Sequence, residues 1–200
     1  MTDEELACET QAGSLSAYEE LVRRYQPQLL SFLMKWGADH HQAQDLVQVA
    51  LVTAYQKIHL YKPKYKFSAW VYTIARRKSI SHFRSDKPLV ELGKEQVDGR
   101  TPASTLSEAE RADVVWSIAR DVLNADQFLM VWLKYHDECP VKDIAEAVGK
   151  TESNVKVSLL RARRLLAERL MTREEAKDVM LEERRIEEQD GGYQFVGGLA

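Results

Sequence analysis

The chain has few cysteines, prolines and glycines, and it has no long apolar run. Cys8 and Cys139 are the only cysteines among 200 residues, which is too few for a disulfide framework and is typical of a reducing compartment. No apolar stretch reaches the roughly eighteen residues of a transmembrane helix, so no membrane span is predicted. The N-terminal sequence is acidic, which argues against a secretory signal. We therefore expect a cytoplasmic protein.

Candidate ligands for a metal ion are also scarce. The five histidines and the two cysteines do not occur at zinc-binding spacing, and no constellation of carboxylates typical of a nuclease is present. The sequence therefore predicts no metal site, no cofactor and no catalytic residue.

Apolar residues recur at helical spacing through most of the chain, and the alternation typical of strands is missing. Tyr18, Leu21, Val22 and Tyr25 follow the i, i+3, i+4, i+7 pattern of one helix face. The fold is predicted to be all-α, with two small helical domains joined by a flexible linker that contains Pro88, Gly93, Gly99 and Pro102. The predicted boundaries are 1–86 for the first domain, 87–107 for the linker, 108–171 for the second domain and 172–200 for a charged, partly disordered tail.

The charge of the chain is unevenly distributed. The net charge is −3, which argues weakly against nucleic-acid binding. Among the charged residues of segment 57–87, however, only Asp86 is acidic, and segment 150–169 is basic on balance. Two basic stretches inside an acidic chain are expected to neutralise phosphates at two separate places.

The C-terminal half contains the pattern of a helix-turn-helix. A short apolar-faced helix ends at Gly149, where helices commonly adopt a positive φ, and Thr151 is placed to cap the next helix. That second helix buries a stripe from Val155 to Leu166, and its opposite face would read base edges and contact phosphates. An amphipathic helix whose arginines only solvate a surface is the alternative. The predicted reading face consists of Ser153, Lys156, Val157, Leu160, Arg161 and Arg164.

Segment 67–78 mixes aromatic residues with cations. This combination favours single-stranded nucleic acid, because aromatic rings stack on unpaired bases while cations follow the backbone. Helical spacing assigns Phe67, Trp70 and Ile74 to the core. A charged, solvated helix face is the alternative interpretation. The tyrosines that we expect to be freer to lie at the surface are Tyr61, Tyr65 and Tyr72.

Motifs in both halves resemble those of one family. Residues 45–48 read DLVQ and residues 67–76 read FSAWVYTIAR, while residues 143–149 read DIAEAVG and residues 159–163 read LLRAR. In order and spacing the chain resembles the extracytoplasmic-function sigma factors of the sigma-70 family, over about residues 18–84 and 106–170.

The resemblance implies a mechanism without chemistry by this chain. A sigma factor binds core RNA polymerase through the β′ clamp helices and the β flap, opens and reads the promoter −10 element, and reads the −35 element with the helix-turn-helix. An anti-sigma factor is a further partner to consider. The residues implied for polymerase docking are Asp45, Gln48, Val49 and Val52. Those implied for the −10 element are Tyr61, Lys62, Lys64, Tyr65, Lys66, Arg76, Arg77, Ser79 and Arg84.

Two departures from the family pattern predict differences in polymerase docking and in −35 preference. Val49 replaces the usual acid and Thr53 the usual nearby cation, so docking should weaken by about 1 kcal/mol or be gated. Phosphorylation of Thr53 by a Ser/Thr kinase would restore negative charge, and the alternative is that Thr53 only packs or faces solvent. Val157 and Ser158 replace a polar pair, and with Leu160 they favour thymine methyl contacts and an unusual −35 preference.

A different class of regulator remains an alternative at this point. A helix-turn-helix repressor or activator with an N-terminal sensor would bind DNA as a dimer that reads two half-sites. A sigma factor would instead bind core polymerase as a monomer. The acids of the tail would either solubilise the chain end, recruit a partner or shield a basic surface.

Overall fold

The structure is a computed structural model, and it describes residues 1–85 and 108–170. The described part is helical throughout, which confirms the predicted all-α fold. The predicted linker and the predicted tail lie outside the described residues. The α-helices in chain order are α1 (Asp3–Gln11), α2 (Leu15–Trp36), α3 (His40–Lys57), α4 (Phe67–Ser85), α5 (Glu108–Val122), α6 (Ala125–Val131), α7 (Val141–Val148) and α8 (Glu152–Leu170).

Helices α1 to α4 form the N-terminal half, and local capping explains where several of them begin. Helix α1, which the periodicity analysis missed, begins with a capping box in which Thr2 and Glu5 satisfy each other's backbone N–H groups. Helix α3 begins with the same device between Asp39 and Gln42. Gly37 caps the C-terminal end of α2 with a φ of 115°, which glycine adopts without strain and other residues rarely adopt.

Helices α5 to α8 form the C-terminal half. Between α6 and α7 the chain makes a single π-helical turn, Trp132–His136. Helix α7 ends at Gly149 with φ 70° and ψ 38°, and Thr151 Oγ1 accepts a hydrogen bond from Asn154 N at 3.2 Å. The predicted turn and cap of the helix-turn-helix are therefore confirmed.

An aromatic core joins the two halves. The ring of Phe32 in α2 lies 5.2 Å from the rings of both Tyr72 and Trp132, and the ring of Trp36 lies 5.0 Å from that of Phe128. These tilted and edge-to-face pairs are favoured geometries for buried rings. Helix α4 is the central element of this arrangement, since it contacts α2 and α3 on one side and α6 and α7 on the other.

Candidate nucleic-acid interface

The predicted reading face of α8 lies on the surface of the molecule. Val155, Leu159 and Ala162 are buried and hold the helix to its neighbours, while Leu166 is half-buried. The buried stripe is thus confirmed in its main positions. On the opposite face Leu160 is half-buried, and the exposed members are Ser153, Lys156, Val157, Arg161 and Arg164.

The loop 61–66 carries residues that the resemblance implies for the −10 element and is called the −10 loop for that reason; its own tyrosine and α1 hold it in shape. Tyr61 Oη donates to the Tyr65 carbonyl at 2.5 Å. Gln11 Nε2 donates to the carbonyls of Ile58 and Tyr61 at 2.7 and 2.9 Å. These bonds tie the loop to α1, an element that the capping motif at Thr2 could have revealed from sequence.

Two tyrosines were wrongly expected at the surface. Tyr61 is 4% exposed and packs against the rings of Phe67 and Trp70, and Tyr72 is completely buried in the aromatic core. Burial raises the pKa of both phenols. Tyr72 is buried because a second layer of helices covers α4, whereas Tyr61 precedes α4 and is buried against the first aromatic residues of that helix. Tyr65 is half-buried.

The cations around the −10 loop differ in how free they are. Lys62, Lys64, Lys66, Arg77 and Arg84 are exposed, as predicted for groups that contact a nucleic-acid backbone. Lys64 Nζ lies 4.8 Å from the centroid of the Tyr65 ring, which is cation–π geometry.

Arg76 and Ser79 have structural partners instead. The guanidinium of Arg76 is half-buried and pairs with Asp126, whose second oxygen lies 2.8 Å from Lys150 Nζ. Ser79 is completely buried, and its hydroxyl donates to the Arg76 carbonyl at 2.8 Å. The prediction that Ser79 lies at a DNA-contacting surface is wrong, because its position on α4 is covered by packing.

Helix α7 approaches the −10 loop with two carboxylates. Glu146 Oε1 lies 2.5 Å from Lys62 Nζ, and Asp143 Oδ2 accepts from the backbone N–H of Lys66 at 2.9 Å. The hydrogen bond between Lys62 and Glu146 raises the pKa of the lysine and lowers that of the glutamate. A cavity of about 230 Å³ lies between the loop, α4 and α7. Neither carboxylate was singled out from sequence.

The docking residues predicted on α3 form an exposed strip. Asp45 and Gln48 are exposed, and Val49 and Val52 are 47% and 57% exposed. Thr53 lies on the inner side of the helix, 8% exposed, and its hydroxyl donates to the Val49 carbonyl at 2.7 Å. This burial contradicts the phosphosite hypothesis, because a kinase needs an accessible hydroxyl.

The described residues lack two kinds of feature. Within residues 1–85 and 108–170, no group of three or more His, Cys, Asp or Glu side chains is arranged to hold a metal ion. No helix in these same ranges combines the length and apolar character needed to cross a membrane.

Comparison with known proteins identifies the class of this architecture. The protein-family model described as Sigma-70 region 2 matches residues 21–88, and the family model described as Sigma-70, region 4 matches residues 121–166. The RNA polymerase sigma-E factor of Streptomyces antibioticus is 32% identical over 174 residues, which cover 86% of this chain and 95% of that protein.

Solved structures share the fold. CnrH, in complex with the cytosolic domain of CnrY, matches with a TM-score of 0.62 at 20% identity, over 84% of this chain and 96% of CnrH. The sigma factor RpoE of Bartonella quintana, in complex with the anti-sigma factor NepR, matches with a TM-score of 0.60 at 24% identity, over 77% of this chain and 96% of RpoE.

The two matched regions, in this order along a helical chain, define a non-enzymatic initiation factor. The chain belongs to the extracytoplasmic-function sigma factors of the sigma-70 family. It directs transcription initiation, in which region 2 binds the −10 element and region 4 binds the −35 element. This membership decides against the alternative of a dimeric helix-turn-helix repressor or activator, since such a regulator has no region 2.

Proposed function

We propose that three surfaces of this chain divide the work of initiation. The outer face of α8 reads the −35 duplex, the −10 loop with the exposed cations of α4 engages the −10 strand, and the strip on α3 docks on the β′ clamp helices of core RNA polymerase. The C-terminal half also contacts the β flap, and the protein acts in the cytoplasm. The exposure of all three surfaces, despite dense packing around them, is the observation that supports this assignment.

The proposed −35 face combines phosphate contacts with apolar base contacts. Lys156, Arg161 and Arg164 are cations on one side of an exposed helix, which suits the phosphates that flank a major groove. Val157 and Leu160 lie among them and have no hydrogen-bonding side-chain atoms, so they favour thymine methyl groups. We therefore expect a thymine-rich −35 preference.

The proposed −10 surface is smaller than the sequence indicated. With Tyr61 and Ser79 buried and Arg76 paired, the groups left to contact DNA are Lys62, Lys64, Tyr65, Lys66, Arg77 and Arg84. The exposed lysines follow the strand backbone, and Tyr65, at the edge of the cavity, is placed to stack on a base.

The proposed polymerase strip has an unusual apolar centre. Asp45 still presents a carboxylate, but Val49 and Val52 present exposed methyl groups where a basic partner surface would favour acids. Docking through this strip is therefore expected to depend on apolar burial more than on charge. An anti-sigma protein is proposed as a further partner, because RpoE of Bartonella quintana was solved with one.

Transcription with purified core polymerase tests the assignment. We expect the chain to co-purify with core polymerase as a monomer, and the holoenzyme to select −35 sites from a random duplex library. Lys156→Ala with Arg161→Ala should abolish this selection without affecting co-purification. Arg169→Ala, about two turns further along α8, removes an exposed cation outside the proposed face; it is the control and should leave selection intact. Undiminished selection by the double variant would refute the assignment of the α8 face.

A further inference from the structure

Helix α1 contacts both ends of the −10 loop. At the C-terminal end of α1, Gln11 Nε2 donates to the carbonyls of Ile58 and Tyr61, where the loop begins. Near the N-terminal end of α1, Glu4 Oε1 accepts from the backbone N–H of Phe67, directly after the loop, at 3.2 Å. The two side chains are seven positions apart on α1, about 10 Å along the helix axis. A single rigid helix therefore holds the two ends of the loop at a set separation.

The carboxamide of Gln11 stabilises the backbone turn that leads into the loop. Residues Ile58–Leu60 form a 3-10 helical turn, which the N–H of Tyr61 closes by donating to the Ile58 carbonyl at 3.0 Å. Gln11 adds a second donor to this carbonyl and also binds the carbonyl of Tyr61. A primary amide has two N–H groups and can serve two carbonyls, whereas a carboxylate or a thioether has none to donate. The contact therefore depends on the chemistry of this side chain and not only on its size.

The constraint from Gln11 reaches Tyr65 through Tyr61. The ring of Tyr61 packs against Phe67 and Trp70 of α4, and its hydroxyl donates to the Tyr65 carbonyl at 2.5 Å. A bond that fixes the backbone of Tyr61 therefore also fixes the hydroxyl that holds the backbone of Tyr65. The ring of Tyr65 lines the cavity beside the loop. A loop that is ordered before it binds loses less conformational entropy on binding, so this preorganisation favours contact with a DNA strand.

Other contacts hold α1 in place independently of Gln11. Leu6 is buried in the core, Tyr25 Oη donates to Asp3 Oδ2 at 2.6 Å, and Arg24 Nη1 lies 2.7 Å from Asp3 Oδ1. Gln11 itself is exposed. Removing its carboxamide should therefore leave α1 folded against α2 and change only the support of the loop. Helix α1 also precedes residue 21, where the match to the region 2 model begins.

We propose that Gln11 is a positioning residue for recognition of the −10 strand, acting from α1 through Tyr61 on Tyr65. It contacts no base itself. It holds the loop backbone in the shape in which Tyr65 and the neighbouring lysines meet the strand, so α1 becomes part of the apparatus that reads the −10 element. This inference rests on the proposed assignment of the −10 loop.

Base enrichment from a synthetic DNA pool tests the role of Gln11. Each DNA carries a randomised −35 duplex and a randomised single-stranded −10 segment, and the holoenzyme is assembled from the full chain and core polymerase. Gln11→Met, similar in length but without a donor, should reduce base enrichment at the −10 positions about fivefold and leave −35 enrichment and co-purification intact. Gln11→Glu, which also lacks an N–H group, should act in the same way. Gln26→Met makes the same substitution at an exposed position of α2 and should change neither enrichment.

The comparison of the two enrichments separates positioning from general stability. Unchanged −10 enrichment with Gln11→Met would overturn the proposal, and so would an equal loss of −10 and −35 enrichment, which a merely structural role would produce. An equal effect of Gln26→Met would overturn it as well. Tyr65→Ala tests the assignment of the −10 loop on its own. If this variant keeps full −10 enrichment, the loop does not read the strand and the assignment falls together with the inference, whereas a loss confined to Tyr65→Ala overturns only the role of Gln11.

Discussion

At the scale of single residues, the burial of Thr53 predicts a structural role in place of the expected phosphorylation. Its side chain is 8% exposed and bonded to the Val49 carbonyl, so Thr53→Glu would place a charge in a packed contact. We expect this change to lower the free energy of unfolding by about 3 kcal/mol. Urea unfolding measures this free energy. Thr53→Val, in which valine is similar in shape to threonine, should lower it by less than about 1 kcal/mol. Equal stability of Thr53→Glu and the parent chain would contradict the described packing.

A glutamate at position 49 should have the opposite effect to one at position 53, because Val49 lies on the exposed strip of α3. A carboxylate at this position would face the basic clamp helices proposed as its partner, so Val49→Glu should tighten core polymerase binding about fivefold. Titration with labelled chain measures the affinity. Gln26→Glu, which adds the same charge on the exposed side of α2, is the control. If both variants gain equally, the strip has no special role in docking.

At the scale of elements, the turn of the helix-turn-helix depends on one backbone conformation. Gly149 has φ 70°, and a Cβ atom added there would meet no other atom within 4 Å. The cost of Gly149→Ala is therefore conformational, and we expect about 1 kcal/mol of lost stability. Gly149→Asn should lose less, since asparagine tolerates the left-handed region better. Thermal unfolding distinguishes the two, and an alanine variant equal to asparagine would contradict the explanation.

Elements with local signals were predictable from sequence. The turn between α7 and α8 lies at Gly149 and Thr151 as predicted, because turn and capping residues act over a few neighbours. Helix α1 had an equally local signal in its Thr2–Glu5 capping box, but its apolar face is too short for periodicity to detect. The exposed face of α8 followed from the position of its buried stripe.

Contacts between distant elements were not predictable in the same way. Sequence analysis treated α4 as a helix with one buried face, whereas α6 and α7 cover a second face. This second layer buries Tyr72 and Ser79 and pairs Arg76 with Asp126. No periodicity within α4 encodes a partner that lies fifty residues away, so the errors concentrate on this helix.

At the scale of the whole molecule, the contact between the two halves should weaken in acid, because the ion pairs Lys62–Glu146 and Arg76–Asp126 join them. The hydrogen bond from Lys62 lowers the pKa of Glu146, and Tyr65 and Lys64 lower it further. For Asp126, burial opposes ionisation, yet Lys150 and Arg76 together lower its pKa. A lowered carboxyl pKa contributes stability above the ordinary values of 4.5 and 3.8, and this contribution is lost as the pH falls through the lowered values.

Tryptophan fluorescence measures this loss, because Trp132 is buried at the boundary between the halves. Between about pH 6 and pH 4 the emission should shift little, and below that it should move to longer wavelength as the halves separate. The double variant Glu146→Gln, Asp126→Asn removes both of the carboxylates whose pKa is lowered at these contacts. Its halves should separate more readily at neutral pH and respond less to acid, and an acid response identical to that of the parent would exclude these two groups as its source.

The aromatic core around Phe32 and Trp132 has a consequence for how the free chain melts. Rings from α2, α4 and the C-terminal half share one buried cluster, so neither half can lose its packing without exposing apolar surface of the other. Calorimetry of the free chain should therefore show one cooperative transition instead of two. A destabilising substitution in either half therefore lowers the free energy of unfolding of the whole chain. Mutations that alter promoter reading and mutations that alter polymerase docking would then draw on the same margin of stability.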